Sequence, residues 1–142
     1  MDCLARIRDS KVKTAESAIL PSWQKNFIIG IDDCIFVVAR SNRGLTAKDI
    51  AKAEEVPGAR EWIKKRYDEG HNICFLTTLK ERLRTPTETW LKEHDFKYHS
   101  LIMNRPKAQH YHYIDDRHVQ ATTFQGKFAP LVKKEHKIQV FG

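Results

Sequence analysis

A chain of 142 residues fits one compact domain, since that length buries roughly 68–70% of the surface its unfolded form exposes. With 41% hydrophobic and 30% charged residues and only 6 Gly and 5 Pro, the composition excludes a disordered or collagen-like chain, and no apolar run approaches the roughly 18 residues of a membrane span. The 25 Lys and Arg exceed the 18 Asp and Glu for a net charge of +7, which favours anionic ligands or nucleic acid and acts on encounter and solubility rather than on fold. The opening residues Met1 to Arg6 lack the apolar core of a secretory signal, so a cytoplasmic location is expected, with no membrane partner. Cys3, Cys34 and Cys74 are odd in number and widely spaced, which reads as reduced thiols rather than zinc or redox pairs.

Residues 1–25 read as an N-terminal extension, with scattered charge, a short helix from Lys11 to Leu20 and a turn at Leu20-Pro21-Ser22; residues 26–142 form the domain. Phe27 to Ile31 is too short for a helix and predicts a strand buried on both faces, ending at Asp32-Asp33. Ser41 to Glu55 is polar and reads as loop with a weak helical turn. Val56-Pro57-Gly58 opens a helix through about Glu69, with Val56, Ala59, Ile63 and Tyr67 on one face and Gly70 as the stop.

Ile73 to Leu76 is a second buried-strand run, ending at Thr77-Thr78. Thr85-Pro86-Thr87-Glu88 predicts a capping box with Pro86 at the first helical position, and Thr87, Trp90, Leu91 and His94 line the inner face of the helix that follows. Ser100 to Met103 and Tyr111 to Ile114 predict two more strands, the second ending at Asp115-Asp116, and Ile138 to Phe141 predicts an edge strand. Strands alternating with helices at this spacing predict a three-layer α/β fold around a mainly parallel sheet. Ligands in such sheets sit beyond the carboxyl ends of the strands, where Asp32, Thr77 and Asp115-Asp116 fall.

Phosphoryl-transfer chemistry needs a nucleophile, a general acid, a small hydroxyl, a cation for the phosphate and carboxylates for Mg²⁺. Acidic pairs after two strands, a Thr after a third, and Arg105 and Lys107 between them supply most of that set. Over residues 26–120 the sequence resembles the haloacid dehalogenase-like superfamily, in particular its small capless phosphatases of capsule and surface-polysaccharide biosynthesis. The resemblance implies a Rossmann-like fold with no sizeable cap domain.

The first motif of that superfamily, D-x-D-G-[TV]-[LI], is matched by Gly30-Ile31-Asp32-Asp33-Cys34-Ile35. The resemblance makes Asp32 the acid and base and a metal ligand, but it sets Gly30 at the nucleophile, where no aspartyl-phosphate can form. Phe75-Leu76-Thr77 matches the second motif, with Thr78-Leu79 in place of the usual Ala-Arg, and gives Thr77 a hydrogen bond to a phosphate oxygen. Asn104-Arg105-Pro106 matches a Gly-Lys-Pro-like turn, so Arg105 holds the phosphate, with Lys107 as its substitute. Tyr113-Ile114-Asp115-Asp116-Arg117 matches the last motif, whose carboxylates Asp115 and Asp116 bind Mg²⁺.

A weakened Mg²⁺ site and a catalytically degenerate phosphatase that binds a phosphorylated small molecule or a protein partner are therefore expected. An alternative is an active Mg²⁺-dependent phosphomonoesterase acting on a sugar phosphate or nucleotide, with water or a neighbouring carboxylate attacking. Asp33 is a rescue carboxylate in that version and a solvated turn residue in the plainer one. A shifted register makes Asp32 the nucleophile and puts Cys34 at the acid position, where a thiol is a poor proton donor to an alkoxide. A third alternative is a basic nucleic-acid-binding module, resting on the net charge of +7 without a recognised motif.

Several other features read as packing or surface. His110 and His112 share a strand face, but Asp115 has the opposite parity and His118 lies beyond, so they read as surface or packing histidines rather than a zinc set. Trp62, Tyr67 and Trp90 read as helix–sheet packing, Cys34 as a small buried thiol, and Lys64-Lys65-Arg66 as a solvated helix face.

Overall fold

The structure, a computed structural model, describes residues 21–39 and 44–128. Strand β1 (Asn26–Gly30) leads through a tight loop to β2 (Phe36–Val37), then to helix α1 (Ala47–Ala51) and β3 (Glu54–Glu55). Helix α2 (Ala59–Asp68) crosses to β4 (Asn72–Leu76), and a 3-10 turn (Glu81–Leu83) runs into α3 (Arg84–Glu93) before β5 (Ser100–Ile102). Strands β1, β4 and β5 form a parallel three-stranded sheet in the order β1-β4-β5, while β2 and β3 form a separate antiparallel pair. The molecule is thus mixed α/β around a small parallel sheet.

The register explains which face is buried. Phe27 opposes Ile73, and Ile29, Phe75 and Leu101 align across the sheet. Both parallel crossovers run in the same direction, so the right-handed rule sets α2 and α3 on one face. On that face Ile73 and Phe75 are fully buried and the Phe27 ring meets Trp62 of α2 edge-on at 5.5 Å between centroids. Alternate residues point the other way, and there Ile28 and Ile102 remain 45% and 49% exposed. Helices cover one face of the sheet among the described residues, so the arrangement seen is narrower than the three layers expected.

Trp90 anchors the other part of the core. Its ring packs edge-on against Phe36 at 4.9 Å and stacks on Phe96 and His94, while its indole N–H donates to the Ala53 carbonyl at 3.1 Å. That bond ties α3 to the end of α1, and it satisfies a polar group that would otherwise be buried unpaired.

Several local expectations are corrected. Helix α3 begins at Arg84, so Thr85 and Pro86 lie in its first turn and make no capping box; Leu83 precedes the helix without a side-chain cap. The 3-10 turn already supplies that entry, and the Thr87 hydroxyl donates back to the Leu83 carbonyl at 2.8 Å. The true capping box is at Thr46 and Asp49, opening α1 inside the stretch read as loop. Tyr111 to Ile114 forms no strand, and all four residues are exposed. Their alternation leads nowhere because the Tyr111 ring is committed locally to Arg105 and its hydroxyl to Pro106. The helix expected from Lys11 to Leu20 and the strand at Ile138 to Phe141 lie outside the described residues.

Candidate functional site

The site forms where β1 and β4 end side by side. Gly30 pairs with Leu76, and the Ile31 N–H continues the ladder to the Leu76 carbonyl at 2.8 Å, which delivers Asp32 beside Thr77. Asp32 is half-buried. Its Oδ1 accepts from the Thr77 hydroxyl at 2.8 Å and its Oδ2 from the Thr78 backbone N–H at 2.9 Å. Thr77 is completely buried, and its Oγ1 in turn accepts from the Leu79 N–H at 3.1 Å. Every polar atom of this small network therefore has a partner, as a half-buried carboxylate requires.

The backbone then turns sharply on both sides. Asp33 has φ of 61° and Asn104 φ of 63°, left-handed values that Asp and Asn tolerate better than other side chains. The Asp33 turn closes on β2 through its N–H to the Phe36 carbonyl at 3.0 Å. The Asn104 turn closes on the β4 loop: Asn104 N–H donates to the Leu79 carbonyl at 2.8 Å and Arg105 N–H to the Thr77 carbonyl at 2.9 Å. Those two bonds bring Arg105 to the ends of β1 and β4.

The Arg105 guanidinium is held in place. It lies over the Tyr111 ring at 3.5 Å to the centroid, while the Tyr111 hydroxyl donates to the Pro106 carbonyl at 2.6 Å and accepts from the Ala108 N–H at 3.3 Å. A Cβ placed on Gly30 would meet Arg105 Nη1 at 3.5 Å and nothing else within 4 Å. The cation thus faces the position without a side chain, and among the described residues no carboxylate comes within ion-pair distance of it.

Beside this network is a cleft of about 340 Å³. Asp32, Asp33 and Thr78 line one side, Lys80, Arg82 and Lys107 supply cations, and Phe36, Val38, Leu45, Leu79 and Leu83 form an apolar wall. Arg82 donates to the Leu45 carbonyl at 3.0 Å, and Lys80 and Lys107 are exposed. The volume is at the small end of ligand pockets.

The structure brings Asp32, Thr77, Arg105 and Lys107 to one region. It does not bring Asp115 and Asp116 there. Both are exposed, and Asp115 accepts from the Tyr113 hydroxyl at 2.7 Å and the Arg117 N–H at 3.2 Å; the Tyr113 bond holds its carboxyl below the usual range. The residues present do not make the expected Mg²⁺ ligand set: Gly30 contributes no carboxylate, and Asp115 and Asp116 bond with Tyr113 and Arg117, which leaves Asp32 as the one expected carboxylate here. Among the described residues no group of three or more His, Cys, Asp or Glu side chains converges, which includes His110, His112 and His118.

Three residues of this region carry no site signal in the sequence. Lys80 and Arg82 precede a helix and look like ordinary surface charge, and Tyr111 looks like a strand residue; the turn after β4, with Arg82 bonded to the Leu45 carbonyl, places the first two, and the chain reversal after β5 places Tyr111 against Arg105.

Cys34 is half-buried in the loop after Ile31, and its thiol is pushed up from an ordinary 9.0 to about 11, first by burial and then by Asp33 and Asp32, with Arg105 pulling the other way. The thiol is thus a very weak acid, which counts against a proton-donating role.

No family model matches the chain, and no curated protein matches it. Among solved structures, a structural-genomics target from Vibrio cholerae is 22% identical over 68% of this chain and 83% of that one, with a TM-score of 0.45. A chain in the structure of the Pnkp1/Rnl/Hen1 RNA repair complex is 18% identical over 66% of this chain, with a TM-score of 0.50. This chain spans 30% of the length of that one, and the likeness is one of fold.

The network and the Cys34 thiol can each be tested. Thr77→Val keeps the shape but leaves the Leu79 N–H and Asp32 Oδ1 without their partner, and is expected to cost about 1–3 kcal/mol in urea denaturation; an unchanged midpoint would mean the network contributes nothing net. Because folding favours the neutral Cys34 thiol, its contribution to stability is present below the unfolded value of 9.0 and is lost as pH rises towards about 11. Iodoacetamide labelling of Cys34, read by peptide mass, should therefore have its half-point nearer pH 11 than 9.

Proposed function

We propose that this protein is a phosphatase-like domain of the haloacid dehalogenase-like type that binds a phosphorylated small molecule without hydrolysing it. The observation that carries this reading is Gly30: at the position the resemblance assigns to the attacking carboxylate there is only backbone, and the space beside it faces the Arg105 guanidinium at 3.5 Å. A cation without an attacking group favours retention of an anion over covalent transfer.

The remaining parts fit binding. Lys80, Arg82 and Lys107 line the cleft together with Thr78, and the net charge of +7 draws anionic ligands towards the chain. Arg105 presents a planar fork suited to phosphate oxygens, already ordered by the Tyr111 ring. Asp32, which the resemblance makes the acid and base, here has a structural role, because it accepts from Thr77 and Thr78 and so fixes the loop the ligand would approach. No step is assigned to a metal ion, since the donor set does not suit one.

Phosphate release from a panel of sugar phosphates and nucleotides, measured with Mg²⁺ and with chelator, tests this reading. The wild-type protein should release no phosphate above the no-protein control in either condition. Mg²⁺-dependent release that disappears in Asp32→Asn would replace the proposal with an active phosphomonoesterase.

A further inference from the structure

The amino ends of the sheet are closed by two histidine rings as well as by backbone. Where the β1–β4 ladder ends, the Lys25 N–H donates to His71 Nδ1 at 3.0 Å, while the Lys25 carbonyl accepts from the Asn72 N–H at 3.0 Å. Where the β4–β5 ladder ends, the Ile73 N–H donates to His99 Nδ1 at 3.0 Å, while the Ile73 carbonyl accepts from the His99 N–H at 2.8 Å. Both donors are backbone amides, so Nδ1 carries no proton in either ring. His94 shows the opposite arrangement, since its Nδ1 lies 2.8 Å from the Trp90 carbonyl, which can only accept.

We infer that His71 and His99 form an acid-sensitive clasp at the amino ends of β1, β4 and β5: when either ring takes a second proton, its Nδ1 becomes a donor facing a donor, and that ladder end opens. Imidazole is the side chain whose ordinary protonation, at about pH 6.5, falls in the physiological range. Ile73 is fully buried, so its amide has no ready replacement for a lost acceptor. The two rings differ in their surroundings. His71 has a side chain 13% exposed, meets the Trp23 and Phe27 rings at 6.1 and 5.4 Å between centroids, and sets its Nε2 3.8 Å from the Glu69 carboxylate just beyond α2, which attracts the added charge and opposes opening. His99 is exposed and stacks on the Tyr67 ring of α2 at 4.8 Å, with no carboxylate within ion-pair distance among the described residues. His99 is therefore the stronger trigger. The neighbouring side-chain bonds, Gln24 to the Gly70 carbonyl and Asn72 to Asn26, involve no titrating group and do not respond. The clasp is at the opposite end of the strands from the Asp32 network, so it stands whether or not the cleft holds a phosphate.

Amide hydrogen exchange followed by NMR tests the clasp, with each rate divided by its intrinsic value at the same pH. About one unit below the ordinary imidazole value, a ladder end that must open before its ring is protonated becomes about tenfold easier to open. Protection of the Ile73 amide should therefore fall about tenfold between about pH 7.5 and about pH 5.5, and that of the Lys25 amide by less. His99→Asn sets a neutral oxygen where Nδ1 lies and should remove the fall at Ile73. The imidazole nitrogen signals of the wild type need no variant and give a second readout: at about pH 7.5, Nδ1 should be the unprotonated nitrogen in His71 and His99 and the protonated one in His94. Equal protection of Ile73 at the two pH values, a fall that persists in His99→Asn, or a protonated Nδ1 in His99 at the higher pH would overturn the clasp.

Discussion

The Asp32 carboxylate holds the functional end of the sheet together. One oxygen accepts from a side chain and the other from a backbone amide of the neighbouring strand's loop, so the exit of β1 and the exit of β4 are fixed to each other. Everything near the site inherits that constraint. Thr77, held by Asp32, offers its carbonyl to Arg105, and Leu79, held by Thr77, offers its carbonyl to Asn104. The chain returning from β5 therefore docks on a platform that exists only because a carboxylate and a buried hydroxyl meet there. Charge-assisted bonds of this kind are stronger than neutral ones, and a partial loss would leave buried donors unpaired.

The same arrangement separates structure from chemistry in a fold of this type. A carboxylate with both oxygens bonded to its own protein is well suited to shape a loop. Gly30 offers no side chain at the end of β1, and Arg105, steadied by Tyr111, lies against that position. Lys80, Arg82 and Lys107 gather at the cleft, whereas Asp115 and Asp116 make their bonds with Tyr113 and Arg117. These features together favour capture of an anion.

How much of this was legible in the sequence depends on the range of the interaction. Phe27 to Ile31 and Ile73 to Leu76 announced β1 and β4 by their continuous apolar runs, which suits β4 between two neighbours, whereas β1 lies at the edge of the described sheet and leaves Ile28 45% exposed instead of buried on both faces. Val56, Ala59 and Ile63 announced α2 through their spacing, and Gly70, with φ of 92°, sits just beyond its end as expected. The start of α3 misled because Thr85 to Glu88 has the letters of a capping box, while the 3-10 turn ending at Leu83 runs directly into the helix at Arg84. Tyr111 to Ile114 has the pattern of a strand, yet the ring of Tyr111 gains more from the Arg105 cation next to it. At the site, Asp32 and Thr77 were readable as strand-end residues. The exposed cations Lys80 and Arg82 and the Tyr111 stack were not, since their meaning lies in contacts across the fold rather than in local spacing.

The central proposal is that cations here would hold a phosphate group that the protein does not cleave. Isothermal titration of inorganic phosphate into the wild-type protein and into the Arg105→Gln, Lys107→Gln double variant, at low and at physiological ionic strength, tests it most directly. Saturable binding by the wild type, weakened at least about tenfold in the variant and reduced by added salt, is the predicted result. Absence of saturable binding to the wild type, or equal affinity in the two proteins, would contradict the account.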